Sequence, residues 1–492
     1  MNLLTDDFIS TTEGKVSLKT LLCSGGDYQL KYAFDETQLS VLQLLSSLAT
    51  VVLKPSLQEL KAYLREGVAE EQYQKGLAKV DLSCFSGDRF MRSKFPDEGN
   101  VAQAPITKLV SGIECGESVN ALGLFSDTEQ ADQACSDCCH VLNYNLHMNI
   151  KGECFGPSGA TGIRGGGSLS TLISGANLQT TILANTIAVD FYNEQRGIPQ
   201  EALNNQLMWE DLPQGDIYYA HQIGLERGLF ALAYHIDFSI IEEPCICDIC
   251  GHSSPQTVKY FSRLKYKGSY GSTKNGRDSN AQWWPHPFTP VTQKADGVYP
   301  VCAREQHWQS WVGFVGYVAK KETEKVSSRP AYIVDQYSQL RGTEHVNLLI
   351  GGNIADQGSI VGRVYDLYAM PTHWHSDMER VIQVIDSGLV IKNLLSEALN
   401  KMFSVGYDKN FIAGIKKNAM HQYISNAQAI VQEILLDVDR SEARVLRKRV
   451  LEKLQREARA IFTMVVRKYE HDLPLFKALI KGEKVFFKAM AE

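Results

Sequence analysis

Four of the cysteines form two Cys-x2-Cys pairs, Cys135 with Cys138 and Cys247 with Cys250. The pairs lie more than a hundred residues apart. Two intervening residues let both thiolates of a pair face one ion, and four thiolates complete a tetrahedral zinc site. The sequence therefore predicts a structural zinc ion that joins two distant segments. Cys139 and Cys245 stand beside the pairs and leave the choice of ligands open by one residue. Two unrelated pairs of buried thiols are the alternative.

The size of the chain predicts more than one domain. It has 492 residues, whereas one hydrophobic core usually supports roughly 250 to 300. Hydrophobic residues at 44% and charged residues at 22% are typical of globular proteins, which excludes a disordered chain, a collagen-like repeat and a coiled-coil rod. An odd number of cysteines, 11, favours free thiols or metal ligands in a reducing cytosol over a framework of disulfides.

The sequence predicts no membrane segment. The longest apolar stretch, residues 41–53, contains Ser46 and Ser47 and is shorter than the ~20 residues that a spanning helix needs. The N-terminal residues MNLLTDDFIS lack the basic region, apolar segment and cleavage site of an export signal. We therefore expect a cytoplasmic protein.

The sequence predicts an α+β fold. Residues 1–372 combine helical stretches and many turn residues with short β-branched runs, at residues 15–22, 331–336 and 347–350, which indicates an irregular mixed domain. From about residue 377, glycine and proline become scarce and apolar residues recur every three to four positions. This periodicity predicts helices over residues 377–404, 409–435, 440–469 and 473–490. Because the loops between them are short, residues 373–492 should form a four-helix bundle.

Charge is distributed unevenly along the chain. The whole sequence has a net charge of -6, but residues 440–492 carry 14 Lys and Arg against 7 Asp and Glu. A basic C-terminal face of this kind favours an anionic partner. A solvated helix surface without a partner is the alternative.

A basic and aromatic stretch follows the second cysteine pair. Residues 259–277 contain no acidic residue and six basic ones: Lys259, Arg263, Lys265, Lys267, Lys274 and Arg277. The aromatic residues between them are Tyr260, Phe261, Tyr266 and Tyr270. Basic side chains neutralise phosphates and aromatic rings stack on bases, so the pattern favours nucleic-acid binding. A solvated basic hairpin is the alternative.

Two further segments are interpreted as glycine-bearing loops, at residues 156–167 and 351–359. Missing side chains let a backbone approach a phosphate or a DNA groove closely. Neither segment matches a nucleotide-binding fingerprint, because the Gly-Lys-Ser/Thr ending and the strand-loop-helix setting are missing.

One cluster resembles a hydrolytic metal site, namely His373, His375 and Asp377. Such sites need further ligands and an open coordination position for water. Met378 stands where another histidine would be required. A metal-dependent hydrolase is therefore kept only as an alternative function, and helix capping is the structural explanation.

Taken in order, these features resemble the CasA family, the large subunit of the type I-E CRISPR Cascade complex. The resemblance runs over nearly the whole chain and rests on the opening residues 1–6, both cysteine pairs, the Gly162-Ile-Arg-Gly-Gly motif, the Trp284-Pro-His-Pro motif and the segment 351–359. It implies a mixed N-terminal domain followed by a four-helix bundle, in agreement with the periodicity described above.

The resemblance also implies a function. It predicts a non-catalytic subunit of an RNA-guided surveillance complex, one that recognises the protospacer-adjacent motif in double-stranded DNA and initiates unwinding and R-loop formation. In such complexes guide pairing reads the sequence and the protein reads only a short motif. The implied partners are the CRISPR RNA, the backbone, 5′-end and small subunits, and a helicase-nuclease recruited after R-loop formation.

The family's site residues transfer by position. The implied DNA-binding residues are Lys267, which would enter the minor groove, the glycine loop Gly156, Pro157, Ser158 and Gly159, and the segment Asp356, Gln357 and Gly358. Gln357 would act as a wedge under the motif, at an unstacking cost of a few kcal/mol. A loop contacting the guide and the DNA is implied at Leu124, Phe125 and Ser126, where the asparagine of some members is absent. In the family the bundle touches the displaced strand, which suggests a strand-guiding role for Arg444, Arg447 and Lys448.

A third function stays open beside DNA recognition and hydrolysis. A zinc-stabilised interaction scaffold without DNA contact would also explain the cysteine pairs and the basic surface. It predicts unchanged duplex affinity after Lys267→Ala or Gln357→Ala.

Overall fold

The computed structural model describes residues 1–97, 99–110, 131–150, 155, 159–160, 162–165, 167–196, 203–212, 217–266, 269–270, 284–294, 297–302, 321–322, 327–340, 345–356, 359–371, 378–438 and 441–491. The chain divides into two compact units. The N-terminal unit comprises Met1–Glu305, Lys320–Gly342 and Asn347–Leu367. The second unit comprises Gln306–Ala319, Thr343–Val346 and Tyr368–Glu492. A domain boundary between residues 372 and 373 remains a prediction, since residues 372–377 lie outside the described part.

The described part of the N-terminal unit contains nine α-helices, and the longest of them is α2. The helices are α1 (Leu18–Cys23), α2 (Asp35–Leu53), α3 (Leu57–Glu66), α4 (Glu70–Leu77), α5 (Ser136–Met148), α6 (Leu178–Ala184), α7 (Val189–Arg196), α8 (Leu225–Leu229) and α9 (Tyr332–Leu340). Short 3-10 helices cover Leu82–Phe85, Ile106–Leu109 and Ala220–Gln222. The strand predicted at residues 331–336 is wrong. These residues begin the helix α9, whose apolar residues face the core at helical spacing.

The strands form several small sheets rather than one large one. They are β1 (Ile9–Thr11), β2 (Gly14–Val16), β3 (Ala102–Pro105), β4 (Ser170–Ser174), β5 (Ile217–Tyr218), β6 (Tyr234–Ile241), β7 (Cys245–Ile246), β8 (Ser253–Ser254), β9 (Thr257–Lys265), β10 (Ser269–Tyr270), β11 (Val291–Lys294), β12 (Gly297–Pro300), β13 (Lys321–Glu322), β14 (Ser327–Arg329), β15 (His345–Asp356) and β16 (Ser359–Pro371). Two three-stranded sheets, β3-β9-β6 and β16-β15-β4, carry the segments discussed below.

Helix α2 forms the centre of the N-terminal unit. By length and composition alone it could cross a membrane, but 89% of its most apolar window is buried inside the protein. Buried core helices of globular proteins commonly pass the same test, so α2 is explained by its place in the core. Lys54, the residue after the last turn of α2, has a left-handed φ of 39°. Its amide donates a backbone hydrogen bond to the Thr50 carbonyl and closes the helix.

The predicted glycine loop at residues 351–359 is wrong for its first part. Gly351 and Gly352 lie inside strand β15, where Gly351 pairs with Ser170 of β4. A Cβ at Gly351 would lie 2.6 Å from the Leu39 side chain of α2. These glycines therefore allow a strand to approach the core helix rather than form a turn.

The second unit contains the predicted helix bundle. Its helices are α10 (Met378–Asn400), α11 (Lys409–Leu435), α12 (Ala443–Lys468) and α13 (Leu473–Ala491), with a 3-10 segment at Lys401–Val405. Each boundary lies within three residues of the periodicity-based prediction except the end of α10, which stops at Asn400, four residues before the predicted 404, where the 3-10 segment begins. On α12, Leu446, Val450 and Leu454 are buried at spacings of four, which is the apolar stripe expected of a bundle helix. The four-helix bundle and the α+β class are thus confirmed.

Candidate functional site

The four predicted ligands meet in the N-terminal unit. The Sγ atoms of Cys135, Cys138, Cys247 and Cys250 all lie within 4.8 Å of one another and are buried. The Cys135 and Cys250 sulfurs are 3.9 Å apart. A Zn–S bond of about 2.3 Å in a tetrahedron requires sulfurs about 3.8 Å apart, so this arrangement is able to hold a metal ion. Four thiolates leave no open position for water, which indicates a structural rather than a catalytic site.

Local backbone geometry brings the two cysteine pairs together. Cys135 is the N-cap of α5, so Cys138 follows in the first turn of that helix. Cys247 and Cys250 lie in the connection between β7 and β8, which closes through a 2.7 Å bond from the Gly251 amide to the Cys247 carbonyl. Gly251 has a φ of +71°, a conformation that favours glycine. The Cys135 amide donates a 3.2 Å hydrogen bond to the Cys247 sulfur and so links the two halves.

The structure also shows whether the two neighbouring cysteines belong to the group of ligands. Cys139 and Cys245 are outside the group of four sulfurs. The Cys245 thiol faces the Gln256 carbonyl at 3.5 Å. Burial raises the pKa of the Cys139 thiol well above its usual value, which keeps it protonated. The predicted ligand set is therefore the one the fold brings together.

One lysine beside the cluster was missed by the sequence analysis. Lys15 Nζ lies 3.9 Å from the Cys135 sulfur and also pairs with Asp137. Burial opposes the charge on Lys15, but the hydrogen bond to Asp137 and the nearby thiols outweigh it and raise its pKa. Four thiolates around a divalent ion would leave two negative charges, and Lys15 would offset part of them. No local signal could have shown this, because β2 lies 120 residues away along the chain.

The basic stretch after the second pair is only partly available to a ligand. Lys259 and Lys265 of β9 are exposed. Arg263 is 5% exposed and lies over the Phe155 ring, 4.0 Å from its centroid. The prediction that Arg263 contacts nucleic acid is therefore wrong, because its side chain is buried against an aromatic ring. Lys267, Lys274 and Arg277 lie outside the described residues.

Most aromatic residues of this stretch are structural. Tyr266 stacks on His235 with ring centroids 4.7 Å apart, and the Tyr270 hydroxyl donates to the Leu232 carbonyl at 2.7 Å. Phe261 is fully buried, whereas Tyr260 is 48% exposed. Of the four rings, Tyr260 alone is open enough to stack on a base.

The flanks of the implied glycine loop are described, although Gly156, Pro157 and Ser158 are not. Phe155 and Ala160 are buried on either side, and Gly159 is half-buried. The Ala160 amide donates a 2.6 Å hydrogen bond to the Tyr234 hydroxyl. The Tyr234 ring meets Phe155 edge-on, with centroids 5.8 Å apart. Both ends of the loop therefore rest on one side chain of β6.

The implied wedge segment joins two long neighbouring strands. Strand β15 ends at Asp356 and β16 begins at Ser359, and the two are adjacent in their sheet. Gln357 and Gly358 stand between them in the sequence and lie outside the described residues. So do Leu124, Phe125 and Ser126. The three residues of the hydrolase alternative, His373, His375 and Asp377, do too. Among the residues that the structure describes, the four cysteines are the one group able to hold a metal.

The arginine of the Gly162-Ile-Arg-Gly-Gly motif is buried and joins residues far apart in the sequence, a role that the sequence analysis missed. Arg164, 2% exposed, donates to Thr289 Oγ1 at 2.8 Å and to Ser170 Oγ at 2.7 Å, and it also bonds Asn149. Burial lowers its pKa to about 10. The Gly162-Ile-Arg-Gly-Gly motif is thus a folding element. A Cβ at Gly162 would lie 2.6 Å from the His147 carbonyl oxygen.

The same network continues to strand β16. Asn149 bonds Asn145 at 3.1 Å, and Asn145 donates to the buried Glu36 carboxylate at 3.0 Å. Arg363 of β16 lies 3.5 Å from the other Glu36 oxygen and also pairs with Asp35. Buried polar groups are costly unless they are hydrogen-bonded, so this chain of contacts fixes β16 against α2.

The bundle presents a basic surface on α12. Arg444, Arg447 and Lys448 are exposed. Arg449 instead pairs with Glu433 and Asp437, at 2.9 and 2.7 Å. Lys448 lies 3.9 Å from Glu452 of the same helix. Further exposed basic residues follow at Arg456, Arg459, Arg467 and Lys468, so positive charge runs along the whole helix.

A mixed unit with a buried group of four cysteines able to hold a metal, followed by a four-helix bundle, defines the class of this protein. A profile of the family CRISPR-associated protein Cse1 (CRISPR_cse1) matches residues 2–464. The chain belongs to the Cse1 family, also called CasA, and the resemblance found in the sequence is confirmed.

Solved structures agree in fold at low sequence identity. Thermus thermophilus CasA (Cse1) is 14% identical with a TM-score of 0.69, and the match covers 100% of this chain and 99% of that one. Thermobifida fusca Cse1 is 14% identical with a TM-score of 0.69, covering 100% and 98%. A chain of a CRISPR RNA-guided surveillance complex is 14% identical with a TM-score of 0.64, covering 99% of both chains.

Proposed function

We propose that this protein is the large subunit of a type I-E Cascade complex, without enzymatic activity of its own. It recognises the protospacer-adjacent motif in double-stranded DNA, initiates unwinding and R-loop formation, and provides the platform on which a helicase-nuclease is recruited. Its partners are the CRISPR RNA and the backbone, 5′-end and small subunits in the cytoplasm. The observation that carries the proposal is the Cse1 profile match over residues 2–464.

The proposed recognition site combines a lysine for the minor groove with two loops that contact the guide and the DNA backbone. Strand β9 ends at the exposed Lys265, and Lys267 follows two residues later. A lysine is suited to the minor groove, whose hydrogen-bonding pattern is degenerate, and it tolerates several motif variants. Leu124, Phe125 and Ser126 are proposed to face the guide, and Gly156–Gly159 the DNA backbone.

The wedge proposal rests on the strands that flank Gln357. Two residues are the usual length of a tight connection between neighbouring strands of 12 and 13 residues. The network from Glu36 to Arg363 holds the second strand to α2, and Gln357 stands just before that strand in the sequence. An inserted amide replaces part of the hydrogen bonding lost when a base pair opens.

The proposed ion at the four cysteines is zinc, with a structural role. It would hold α5 and the β7–β8 connection together, and β9 follows directly from that connection. The cysteines bind the ion and take no part in a reaction. The scaffold alternative shares the four cysteines and the basic surface with this proposal, so the binding experiment below distinguishes the two.

The test is binding of a guide-loaded complex, reconstituted with and without this protein, to duplexes with randomised bases beside the protospacer. Selected duplexes should share a short flanking motif only when the protein is present. Gln357→Ala should weaken binding to closed duplex and spare pre-opened target, and Lys267→Ala should weaken motif selection. The matched controls are the exposed Gln74→Ala and Lys61→Ala. A flat selection, or one that is identical without the protein, favours the scaffold function.

A further inference from the structure

We propose that a cavity of the N-terminal unit, walled by Arg92, Lys94 and Trp209, binds a nucleoside 5′-monophosphate, either free or as one unit of a single-stranded nucleic acid. The phosphate would lie on the basic side chains and the base on the aromatic ones. The proposal goes beyond the function proposed above and is independent of it, since the described lining contains none of the residues assigned to motif recognition or metal binding.

The cavity is large enough for such a ligand. Its volume is about 630 Å³, and small-molecule sites usually have about 300 to 1,000 Å³. Residues 88–95, residues 209–212 and strand β6 contribute its walls. The lining includes three basic side chains and two half-buried aromatic rings, namely Arg89, Arg92, Lys94, Phe95 and Trp209.

Arg92 is a buried cation that its neighbours satisfy poorly. Its side chain is 14% exposed, and burial lowers the pKa of its guanidinium. Among the residues that the structure describes, its Nε is buried without a hydrogen-bond partner. Asp237 lies 3.6 Å from Nη1, beyond normal hydrogen-bond distance, whereas Arg89 in the same wall pairs with Glu210 at 2.6 Å. A buried charge is costly unless it is paired and hydrogen-bonded, so an anion in the cavity would stabilise Arg92.

The backbone that presents Arg92 is strained and held in place. Met91, the preceding residue, has a φ of 51°, which is uncommon for a bulky side chain. The Asn143 side chain of α5 donates to the carbonyls of Phe90 and Met91, at 3.2 Å each. Strain of this kind persists only where surrounding contacts enforce it, and it is concentrated at functional sites. The turn therefore fixes Arg92 at the cavity wall before a ligand arrives.

The aromatic side of the cavity is also fixed. The Trp209 indole Nε1 donates to the Cys84 carbonyl at 3.1 Å, and the ring packs edge-on against Phe85 and Phe90. Trp209 remains half-buried and lines the cavity. Bases stack on such rings with little dependence on base identity. A base would therefore meet a ring that needs no rearrangement.

The mixture of charges in the lining favours a nucleotide over a simple anion. Arg92 and Lys94 suit a phosphate, which accepts charge-assisted hydrogen bonds. Asp88 and Asp237 would repel a second anionic group, but they can accept hydrogen bonds from ribose hydroxyls or base amino groups. A ligand with one phosphate, a sugar and a ring therefore matches the cavity better than inorganic phosphate or a polyphosphate.

The experiment titrates the full-length protein with adenosine 5′-monophosphate by isothermal titration calorimetry, and with uridine 5′-monophosphate as a second base. Both should bind saturably. Inorganic phosphate and adenosine each lack part of the ligand and should bind at least about tenfold more weakly. Arg92→Met should weaken nucleotide binding about 10- to 100-fold, the effect of losing hydrogen bonds to a charged group. Lys94→Gln, at an exposed position, should weaken it about two- to fivefold.

The matched control is Arg196→Met. Arg92 lies over the Phe238 ring, 5.0 Å from its centroid. Arg196 lies over the Tyr192 ring at 5.9 Å, and it also donates to two backbone carbonyls, at 3.0 and 2.8 Å. Arg196→Met removes these hydrogen bonds, so it should lower the melting temperature and keep full affinity for the nucleotide. Arg92→Met removes a poorly paired buried charge, so it should lower affinity without lowering the melting temperature.

The proposal is overturned if the wild-type protein binds neither nucleotide saturably, or if Arg92→Met binds as tightly as the wild type. It is also overturned if inorganic phosphate binds as tightly as the nucleotide, which would indicate a simple anion site. An Arg92→Met protein that melts as early as Arg196→Met would overturn it too, since the guanidinium would then be structural.

A competition experiment identifies the source of the nucleotide. If a single-stranded oligonucleotide displaces adenosine 5′-monophosphate, the site holds one unit of a nucleic acid. If the mononucleotide binds and the oligonucleotide does not displace it, the site holds a free nucleotide. Both results support the cavity as a nucleotide site. Motif selection by the assembled complex is measured separately, so failure of the cavity proposal leaves the proposed function standing.

Discussion

The N-terminal unit and the bundle are stabilised in different ways. Within the N-terminal unit, buried polar contacts join residues far apart in the sequence, such as Cys135 with Cys247 and Asn145 with Glu36. Within the described part of the bundle, the core is mostly leucine, isoleucine, valine and alanine, and the few buried polar groups there include Ser387 and the Tyr423 hydroxyl. Apolar packing is non-directional, whereas metal ligation and hydrogen bonds fix positions closely.

Under the proposed function the two regions have different tasks. Segments that must meet a duplex in a defined geometry require supports that tolerate little displacement, and polar networks supply them. A helical platform needs only shape and surface charge. Substitutions in the N-terminal unit should therefore disturb recognition, and those in the bundle should mainly disturb stability or charge-dependent contacts.

Metal removal should have the largest effect. Binding to four thiolates contributes on the order of 10 kcal/mol, so Cys250→Ser or a strong chelator should unfold much of the N-terminal unit. Metal content by mass spectrometry should fall from one zinc per chain, and helical signal from the bundle should persist. Cys139→Ser is the control and should retain a full equivalent of zinc. Full metal content in Cys250→Ser would contradict the ligand assignment.

Arg164→Met should be the next most damaging change. It leaves several buried acceptors without a donor, each worth about 1–3 kcal/mol, so the free energy of unfolding should fall by at least about 3 kcal/mol. Urea denaturation of the full chain measures the loss. Arg456→Met removes an exposed arginine of α12 and should cost less than about 0.5 kcal/mol. An equal fall in the free energy of unfolding in both variants would contradict the proposed difference between the two units.

A core substitution in the bundle tests whether this region affects stability without affecting motif preference. Leu454 is fully buried, and Leu454→Ala should cost about 2 to 5 kcal/mol through lost burial and a cavity. The flanking-motif preference of the assembled complex should stay unchanged. Val445→Ala, at a position that is 54% exposed, is the control. Altered motif preference in Leu454→Ala would mean that the bundle takes part in recognition.

Acid should weaken the N-terminal unit first. Burial lowers the pKa of His140 and of His147 to about 3, from the usual 6.5. Both are neutral in the folded protein, while the unfolded chain takes up protons below pH 6.5. Their contribution is therefore complete above pH 6.5 and is lost as the pH falls towards 3, at about 1.4 kcal/mol per pH unit for each histidine.

Urea denaturation between pH 7 and pH 5.5 measures this dependence, with metal content followed in parallel. His140→Gln should remove its share of the slope. His471→Gln, at an exposed position of the bundle, should leave the slope unchanged. A slope unaffected by His140→Gln would show that other groups control the acid response.

The smallest effect is expected from charge reversal on the bundle. Glutamate at Arg444, Arg447 and Lys448 should reduce the salt dependence of R-loop binding by about 0.7 in log-log slope per lost contact with a single strand. The triple reversal of Lys61, Lys75 and Lys79, exposed residues of the N-terminal unit, makes the same change in net charge. An unchanged salt slope in the bundle variant would refute the strand-guiding role.

The sequence predicted the bundle well because its signal is local. Apolar residues four positions apart face one side of a helix regardless of the remaining chain, and so the start of α13 at Leu473 was predicted correctly. The small sheets gave a weaker signal, because β4 pairs with β15 more than 170 residues away. Gly351 was misinterpreted as part of a loop for this reason, since the helix it packs against lies near the N-terminus.

The residues of the candidate site also differ in whether their sequence signal is local. The cysteine ligands were predicted from spacing alone, because the chemistry needs a short turn between two thiolates. Lys15, Arg164 and Tyr234 act through partners distant in the sequence and could not be recognised locally. Arg263 was assigned to the wrong face because its basic character suggested a surface position, whereas two aromatic rings bury it.

The separation of the cysteine pairs also affects how the protein is made. Cys135 and Cys247 are 112 residues apart, so translation at about 5 to 20 residues per second leaves about 6 to 22 s between their syntheses. During that interval the first two thiols have no complete site and are open to oxidation or to the wrong metal. A four-thiolate site can therefore assemble only after the second pair has been synthesised, late in the production of the N-terminal unit.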